Sequence, residues 1–299
     1  MNLFDRLVKA GMPLVPKPIV GRVARRYVAG ETLDDAVRTL RAMNDEGAMG
    51  TVDVLGEEVR EAARAEAAVA EYLRLLERVH GERLDANISI KPTMLGLKID
   101  QSLCEECVAT IVDRAASLGN FVRIDMEDHT CTDATIQLYR RMHERFPTTV
   151  GVVLQSYLRR SIADVNDLLS LAPNIRVCKG IYREPRTIAW KEFDTVRANF
   201  AYLTDKLLTA GCYVGIATHD PHLVWAGMQT VDRLQLDRDR YEFQMLLGVD
   251  AELRRIIVAA GHRLRVYVPY GQDWYPYSIR RLRENPTVAR HVLRALLSR

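Results

Sequence analysis

Short segments rich in Val, Ile and Tyr alternate with helix-length segments from about residue 50 onward. They recur roughly every 25–35 residues, and each is too short to be a typical helix. The predicted strands are Thr51–Leu55, Asn87–Lys91, Phe121–Met126, Val150–Tyr157, Ile175–Lys179, Tyr213–Thr218, Tyr241–Leu246 and Arg265–Pro269. The predicted helices between them are Glu57–Val79, Leu103–Ala116, Ala134–Glu144, Ile162–Ser170, Asp194–Thr209, Leu223–Leu234 and Asp250–Ala260. Because strands separated by helices pair in parallel, eight such units in roughly 250 residues predict an α/β fold, a closed (β/α)8 barrel of the TIM type.

An open, doubly wound sheet is the alternative arrangement of the same elements. It has less support, because no G-x-G-x-x-G pattern follows any predicted strand. The segment before the first strand reads as helical, with a capping box at Thr32 and Asp35 and a stop at Gly47. The sequence therefore predicts an N-terminal helical arm over residues 1–48 and a catalytic barrel over residues 49–299.

The charge pattern narrows the partners that this chain is expected to have. The net charge is only +3 in 299 residues, and both signs are interspersed beyond residue 26, so we expect no nucleic-acid partner. No uncharged apolar run is long enough to span a membrane, and the start lacks the apolar core of a secretion signal. Residues 1–26 carry six basic side chains and one acidic one. This favours a solvated helical arm, with peripheral contact with an anionic membrane as the second interpretation.

Five cysteines scattered through a chain of this length favour a reducing, cytoplasmic compartment over a disulfide framework. Cys104 and Cys107 have C-x-x-C spacing, but no second pair follows at the distance of a zinc site. On an amphipathic helix the two thiols would share one face. We therefore expect neither a metal site nor redox chemistry at this pair.

Polar side chains gather at or just after the carboxyl end of each predicted strand. In a barrel all these positions meet at one mouth, where the active sites of such folds lie. Any one of them could be a structural polar group, but a set that recurs strand after strand indicates a site. The positions are Glu57, Lys91, Asp125, Glu127, Gln155, Arg176, Lys179, Thr218, His219, Gln244, Tyr267 and Gly271.

The motifs around these positions resemble those of proline dehydrogenases, in the family's order, over roughly residues 50–286. They are Asn87-Ile-Ser-Ile-Lys91, Arg123-Ile-Asp125-Met-Glu127, Val153-Leu-Gln155-Ser-Tyr157, Arg176-Val-Cys-Lys179-Gly180-Ile-Tyr182, Ala217-Thr-His219, Tyr241-Glu-Phe-Gln-Met-Leu246, Val266-Tyr267-Val-Pro269-Tyr-Gly271 and Tyr277-Ser-Ile-Arg280-Arg281-Leu-Arg-Glu284-Asn285. Three residues depart from the usual pattern: Cys178 replaces Val, Ile181 replaces Ala and Asp220 replaces Asn. All three neighbour positions that contact the cofactor in the family.

The resemblance implies a monofunctional bacterial-type enzyme that uses FAD to oxidise L-proline to 1-pyrroline-5-carboxylate. A hydride would pass from C5 of proline to flavin N5, in the first step of proline catabolism to glutamate. Expected partners are a quinone or other electron acceptor and a separate pyrroline-5-carboxylate dehydrogenase. The expected location is cytoplasmic, with peripheral contact at the inner membrane as the alternative.

The same resemblance assigns roles to individual residues. Asp125 and Arg176 would be catalytic, Lys91 and Asp125 would form an ion pair, and Glu57 would act as a gate that pairs with Arg280. The cofactor-binding positions would be Met126, Gln155, Arg176, Val177, Cys178, Lys179, Gly180, Thr218, His219 and Gln244. The substrate-binding positions would be Lys91, Leu246, Tyr267, Tyr277, Arg280, Arg281 and Glu284.

Two other functions remain open at this stage. Lys91 with a depressed pKa could form a Schiff base, which would make the protein a barrel aldolase or lyase. A non-catalytic barrel used for binding would also fit the fold, although such a protein is expected to lose polar residues at its mouth.

Overall fold

The computed structural model describes residue 21, residues 26–275 and residues 277–279. Eight parallel strands form a closed barrel in which each strand pairs with its sequence neighbours and β1 pairs with β8. The strands are β1 (Met49–Val54), β2 (Ala86–Ile90), β3 (Val122–Ile124), β4 (Val150–Gln155), β5 (Asn174–Cys178), β6 (Tyr213–Ala217), β7 (Tyr241–Leu246) and β8 (Leu264–Tyr270). The prediction of a closed (β/α)8 barrel is therefore confirmed, and the open sheet is wrong.

Over residues 26–275, one helix precedes β1, and a helix follows each strand from β1 to β7. The helices are α1 (Leu33–Asp45), α2 (Ala62–Gly81), α3 (Gln101–Ser117), α4 (Thr132–Arg145), α5 (Ser161–Leu168), α6 (Phe193–Thr209), α7 (Pro221–Arg233) and α8 (Ala251–Ala259). None of the described helices is both long and apolar enough to cross a membrane.

Helix α2 begins later than the sequence predicts, at Ala62 rather than Glu57. The cause is a loop tied to the end of β2: the amide of Glu58 donates to Thr93 Oγ1 at 2.9 Å, and the amide of Val59 donates to the Thr93 carbonyl at 3.2 Å. Glu58 has a positive φ of 54°, which a helix cannot accommodate. The first turn of the predicted helix is therefore wrong, because contacts with a distant loop override the local pattern.

The predicted capping box opens α1. Thr32 Oγ1 accepts the Asp35 amide at 3.2 Å, and the Asp35 carboxylate accepts the Thr32 amide at 3.1 Å. The helix stops before Gly47, whose φ of 78° is readily adopted only by glycine. Its buried residues, Leu40 among them, pack α1 over β1 and β8. The remainder of the predicted arm, residues 1–20 and 22–25, lies outside the described residues.

Side chains on the two faces of the strands differ sharply. The outward face is apolar and packs against the helices, as Val52, Ile88 and Ile124 illustrate. The inward face is unusually polar, whereas the core of such barrels is usually filled by branched aliphatic side chains. The buried inward residues include Asp53, Ser89, Arg123, Arg176, Glu242, Gln244 and Arg265.

We predict that the polar interior depends on the absence of a side chain at Gly151 in β4. A Cβ there would lie 2.5 Å from Arg123 Nη1 and 2.5 Å from the Asn174 carbonyl oxygen, so Gly151→Ala should lower the free energy of unfolding by about 1–3 kcal/mol. Gly81→Ala, where a Cβ meets nothing within 4 Å, is the control. It should leave stability unchanged or raise it by about 0.5–1 kcal/mol. Denaturant unfolding of both variants measures this, and equal losses would contradict it.

Candidate active site

A cavity of about 730 Å³ opens at the carboxyl ends of the strands, within the size range of small-molecule and cofactor sites. Most of the predicted site residues line it. They are Lys91, Asp125, Met126, Gln155, Arg176, Cys178, Lys179, Gly180, Thr218, His219, Gln244, Leu246, Tyr267 and Tyr277. The barrel thus brings together residues that are up to 186 positions apart in the chain, from Lys91 to Tyr277.

Two predicted residues that the structure describes, Val177 and Glu57, do not line the cavity. Val177 follows Arg176 on β5, so strand alternation turns its side chain into the outer apolar core, where it is fully buried. Glu57 lines a separate depression beside Tyr270 and Gly271. Arg280, Arg281 and Glu284 lie outside the described residues, and so does the predicted pairing of Glu57 with Arg280.

Lys91 does not pair with Asp125 as the sequence predicts. Its Nζ donates instead to both carboxylate oxygens of Asp53 on β1, at 2.5 and 2.6 Å, and weakly to Tyr267 Oη at 3.4 Å. Burial lowers the pKa of Lys91, but the negative charges of Asp53 and Asp125 outweigh it and hold the pKa above its usual value. The ammonium group is therefore charged at neutral pH.

Asp125 forms the centre of a second set of contacts. Its Oδ1 accepts from Ser89 Oγ at 2.6 Å and from Arg176 Nη1 at 2.7 Å, and its Oδ2 accepts from Tyr267 Oη at 3.0 Å. Arg176 also donates through Nε to Gln244 Oε1 at 2.5 Å. Its guanidinium is therefore held on both sides while it lines the cavity, 5.5 Å from the centre of the Tyr267 ring.

Two further side chains at the cavity are fixed in orientation. Gln155 donates through Nε2 to the Met126 carbonyl at 3.1 Å, and its buried Oε1 has no hydrogen-bond partner among the described residues. His219 accepts the Leu246 amide through Nε2 at 2.8 Å, so the neutral imidazole carries its proton on Nδ1. The unsatisfied Gln155 oxygen is the more informative of the two, because a buried acceptor without a partner is costly unless a ligand supplies a donor.

The rim of the cavity combines two cations, a carboxylate and an exposed ring. Asp220 accepts from Lys179 Nζ at 2.6 Å and from Arg197 Nε and Nη2 at 2.6 and 2.7 Å. These contacts outweigh the effect of burial and hold the pKa of Asp220 well below its usual range. Both cations lie over the ring of Phe193, 4.6 and 4.4 Å from its centre, while 57% of that residue remains exposed.

Sequence reasoning missed four residues of this site: Asp53, Ser89, Phe193 and Arg197. Asp53 carried a usable signal, since a charged residue inside a predicted strand must find a buried partner. Ser89 occupies the inward face of β2 two residues before Lys91, so the period of two could also have found it. Phe193 and Arg197 lie at the start of α6, where nothing in the sequence marks them.

The C-x-x-C pair does not line the cavity. Cys104 and Cys107 are buried on one face of α3, as predicted, and burial raises the pKa of the Cys104 thiol to about 12. Thiols with such pKa values are unreactive. Among the described residues no group of His, Cys, Asp and Glu is placed to hold a metal ion.

A family model and two related proteins that match this chain carry the same description. Residues 36–294 match the family model described as proline dehydrogenase. The chain is 36% identical to a proline dehydrogenase of Deinococcus radiodurans over 308 residues, which cover 99% of each chain. It is 34% identical to proline dehydrogenase 1 of Bacillus subtilis strain 168 over 276 residues, which cover 92% of this chain and 91% of the relative.

A solved structure is similar in fold. The crystal structure of proline utilization A from Bdellovibrio bacteriovorus, inactivated by N-propargylglycine, matches with a TM-score of 0.83 and 24% identity. The match covers 88% of this chain and 32% of that one, so this chain spans about a third of that protein. At this identity the likeness shows the barrel fold alone.

Glu127, at the cavity beyond β3, leads to a prediction about pH. Burial raises its pKa from 4.5 to about 7, although Thr93 donates to it through the amide at 2.9 Å and through Oγ1 at 2.6 Å. Between these two values the folded protein holds a proton that the unfolded chain has lost. Stability should therefore fall by on the order of 3 kcal/mol as the pH rises from 4.5 to above 7.

Glu127→Gln isolates this contribution, because a neutral amide can keep contacts with Thr93 and does not titrate. The difference in unfolding free energy between wild type and Glu127→Gln should change across this pH range, while the exposed control Glu61→Gln should track the wild type. Denaturant titrations at several pH values measure it. A difference that stays constant with pH would show that Glu127 keeps an ordinary pKa.

Proposed function

The chain belongs to the proline dehydrogenase family, and we propose that it oxidises L-proline to 1-pyrroline-5-carboxylate with FAD as the electron acceptor. In this reaction class the flavin supplies an N5 atom that accepts a hydride from C5 of proline. The observation that carries the proposal is the fixed Arg176 guanidinium, held between Asp125 and Gln244 at a cavity whose Gln155 oxygen lacks a partner. The step would begin the catabolism of proline to glutamate.

The residues of the cavity suit a flavin dinucleotide. The isoalloxazine ring has an N–H donor in its pyrimidine part, which the buried Oε1 of Gln155 could accept. Lys179 and Arg197 at the rim offer positive charge to a pyrophosphate. Gly180, with φ of 97°, lets the backbone turn close to the Tyr157 ring, where a Cβ would come within 2.2 Å. Met126, Cys178, Thr218, His219 and Gln244 complete the proposed cofactor set, together with Val177, whose side chain faces the outer core, so that only its backbone could contribute.

The proposed substrate position lies above Lys91. Its ammonium group is charged and already oriented by Asp53, so it can contribute to binding a carboxylate without first being desolvated. The Tyr267 ring, fixed through its hydroxyl to Asp125, offers a flat wall to a five-membered ring. Leu246 and Tyr277 would close the pocket. We assign the main carboxylate clamp to Arg280 and Arg281, with Glu284 one helical turn on and Glu57 as gate.

The chain's own groups would assist the chemistry in two ways. Arg176 would offer a fixed positive charge to the negative charge of a reduced flavin, and a preorganised charge of this kind needs no rearrangement during the step. Asp125 stays oriented by its three donors and thereby aligns both Arg176 and the Tyr267 hydroxyl. Asp125 and Arg176 are therefore the two residues that we propose as catalytic.

The wider setting is also part of the proposal. A quinone or another acceptor would reoxidise the flavin, and a separate pyrroline-5-carboxylate dehydrogenase would consume the product. We place the enzyme in the cytoplasm, with peripheral contact at the inner membrane through the basic residues 1–26 as the alternative. The arm would extend over residues 1–48 and the catalytic barrel over residues 49–299.

The Schiff-base alternative has little support from the geometry. A lysine nucleophile needs an unprotonated amine, whereas Asp53 holds Lys91 as a buried ion pair with a raised pKa. The orientation of Arg176 and the free Gln155 oxygen would also have no purpose in that chemistry.

Purified protein should distinguish the two reactions directly. We expect it to be yellow, to release FAD on denaturation, and to lose its flavin absorbance when L-proline is added without oxygen. D-proline serves as the control, because the same cavity should not orient its carboxylate and C5 together. A preparation that takes up no FAD even when it is supplied, and is trapped on Lys91 by borohydride, would overturn the proposal.

Tyr267 should determine the preference for proline over 4-hydroxyproline. Tyr267→Ser removes the ring wall and leaves room for the extra hydroxyl, so the ratio of the two kcat/KM values should fall by about tenfold or more. Tyr267→Phe is the matched control: it loses the hydroxyl contacts with Asp125 and Lys91 but keeps the wall. Its rates should fall while its ratio stays near the wild-type value. An unchanged ratio in Tyr267→Ser would mean that this ring does not face the substrate.

A further inference from the structure

Glu242 is a buried charge that the proposed mechanism does not use. It lies near the amino end of β7, is 1% exposed, and does not line the cavity. Its carboxylate accepts from Arg265 Nε at 2.8 and 3.0 Å and from Tyr213 Oη at 2.8 Å. These contacts alone would make it a structural residue at the floor of the barrel.

A further contact connects this floor to the cavity. Gln244 lies two residues along β7 on the same inward face, and its Nε2 donates to Glu242 Oε1 at 2.5 Å. The other end of the same amide, Oε1, accepts from Arg176 Nε at 2.5 Å. The glutamate, the amide and the arginine therefore form one continuous chain of hydrogen bonds.

The charge of Glu242 determines the direction of these hydrogen bonds, and so the orientation of the Gln244 amide. Burial raises the pKa of Glu242, but Arg265 and the donors from Tyr213 and Gln244 outweigh it and bring the value to about 2. At neutral pH the group is a carboxylate, which can only accept hydrogen bonds. Gln244 must therefore turn its NH2 group toward Glu242 and its carbonyl oxygen toward Arg176.

The neighbouring strand β6 provides the space that the Gln244 amide occupies in this orientation. Gly215 on β6 lies directly beside the amide, and a Cβ at that position would come within 2.5 Å of Gln244 Nε2. A side chain there would displace the amide, because the three atoms nearest to an added Cβ all belong to Gln244.

We propose that Glu242 is a positioning residue: acting through Gln244, it holds the Arg176 guanidinium in place and so sets how strongly the cavity favours the reduced flavin. The inference rests on the proposed function, since a flavin is the group that Arg176 would face. A fixed cation stabilises the extra negative charge of a reduced flavin more than a cation that swings between orientations. Loosening the amide should therefore lower the reduction potential, although Glu242 touches neither cofactor nor substrate.

The test compares FAD-loaded variants by midpoint potential and by anaerobic reduction with proline. Glu242→Gln replaces the obligate acceptor with an amide that can present either end. We expect the equilibrium constant for reduction to fall about tenfold, which is about 30 mV for a two-electron couple. The limiting rate of reduction should fall, while the dissociation constant for proline stays close to the wild-type value. Tyr213→Phe is the matched control, because it removes a donor from the other carboxylate oxygen and leaves Gln244 alone.

A double-mutant cycle separates a positioning role from a structural one. In an Arg176→Lys background the Nε donor is absent, so Glu242→Gln should cause little further change in potential. If Glu242→Gln behaves like Tyr213→Phe, or if its full effect persists in the Arg176→Lys background, the inference is wrong. Glu242→Gln could fail to fold because it leaves Arg265 unpaired. In that case two other variants replace it in the same cycle. One is Gly215→Ala, and the other is the double variant Glu242→Gln/Arg265→Met, which removes both charges of the pair.

The outcomes also distinguish this inference from the function on which it rests. Wild-type protein that takes up no FAD, or whose flavin is not reduced by proline, would contradict the proposed function itself. Normal wild-type behaviour together with an additive cycle would contradict only the role of Glu242.

Discussion

The pairing of charges inside the barrel is the constraint on which both the fold and the site depend. A charge removed from water is costly unless a partner of opposite sign and further hydrogen bonds compensate it. Among the described residues three ion pairs inside the barrel meet this condition, and each joins residues on or directly after two different strands: Asp53–Lys91, Asp125–Arg176 and Glu242–Arg265. No strand can satisfy its own charge, so the interior is stable only when the barrel is closed.

The three pairs differ in what surrounds them. The pair between Glu242 and Arg265 is sealed at the floor, where Arg265 also donates to the Gly50 carbonyl at 2.6 Å. Lys91 and Arg176 line the cavity and retain surface that a ligand can contact. The ion pair at the floor is therefore shielded from a ligand, whereas the two pairs at the mouth are open to one, and Gln244 connects the two regions through Glu242 and Arg176. Arg123 has no carboxylate partner among the described residues and donates to the carbonyls of Val152 and Asn174. Burial lowers its pKa to about 9. At neutral pH it is still a cation.

The sequence predicts the barrel well because strand and helix periodicity are local properties, and all eight strands fall within a few residues of their predicted bounds. The same reasoning fails for side-chain pairing, which depends on contacts between distant segments of the chain. Register places Lys91 beside Asp125, since Ile90 pairs with Ile124 on the neighbouring strand. The side chains nevertheless turn apart, Lys91 toward β1 and Asp125 across the barrel toward β5 and β8. Adjacent positions can be read from strand order, whereas the choice of partner depends on rotamers that only the closed barrel fixes.

Asp220 shows how a single departure from the family pattern changes the electrostatics of the rim. An asparagine there could accept a hydrogen bond but could not neutralise charge, whereas the carboxylate pairs with both Lys179 and Arg197. It also accepts the His222 amide at 3.2 Å and so caps α7, which fixes its own position. A phosphate bound at this rim would meet two cations that are already in place but whose combined charge is reduced by one unit. If the proposed dinucleotide binds at this rim, Asp220 would weaken the attraction for its phosphates but would hold both cations in place beforehand, so that they need not be immobilised when the ligand arrives.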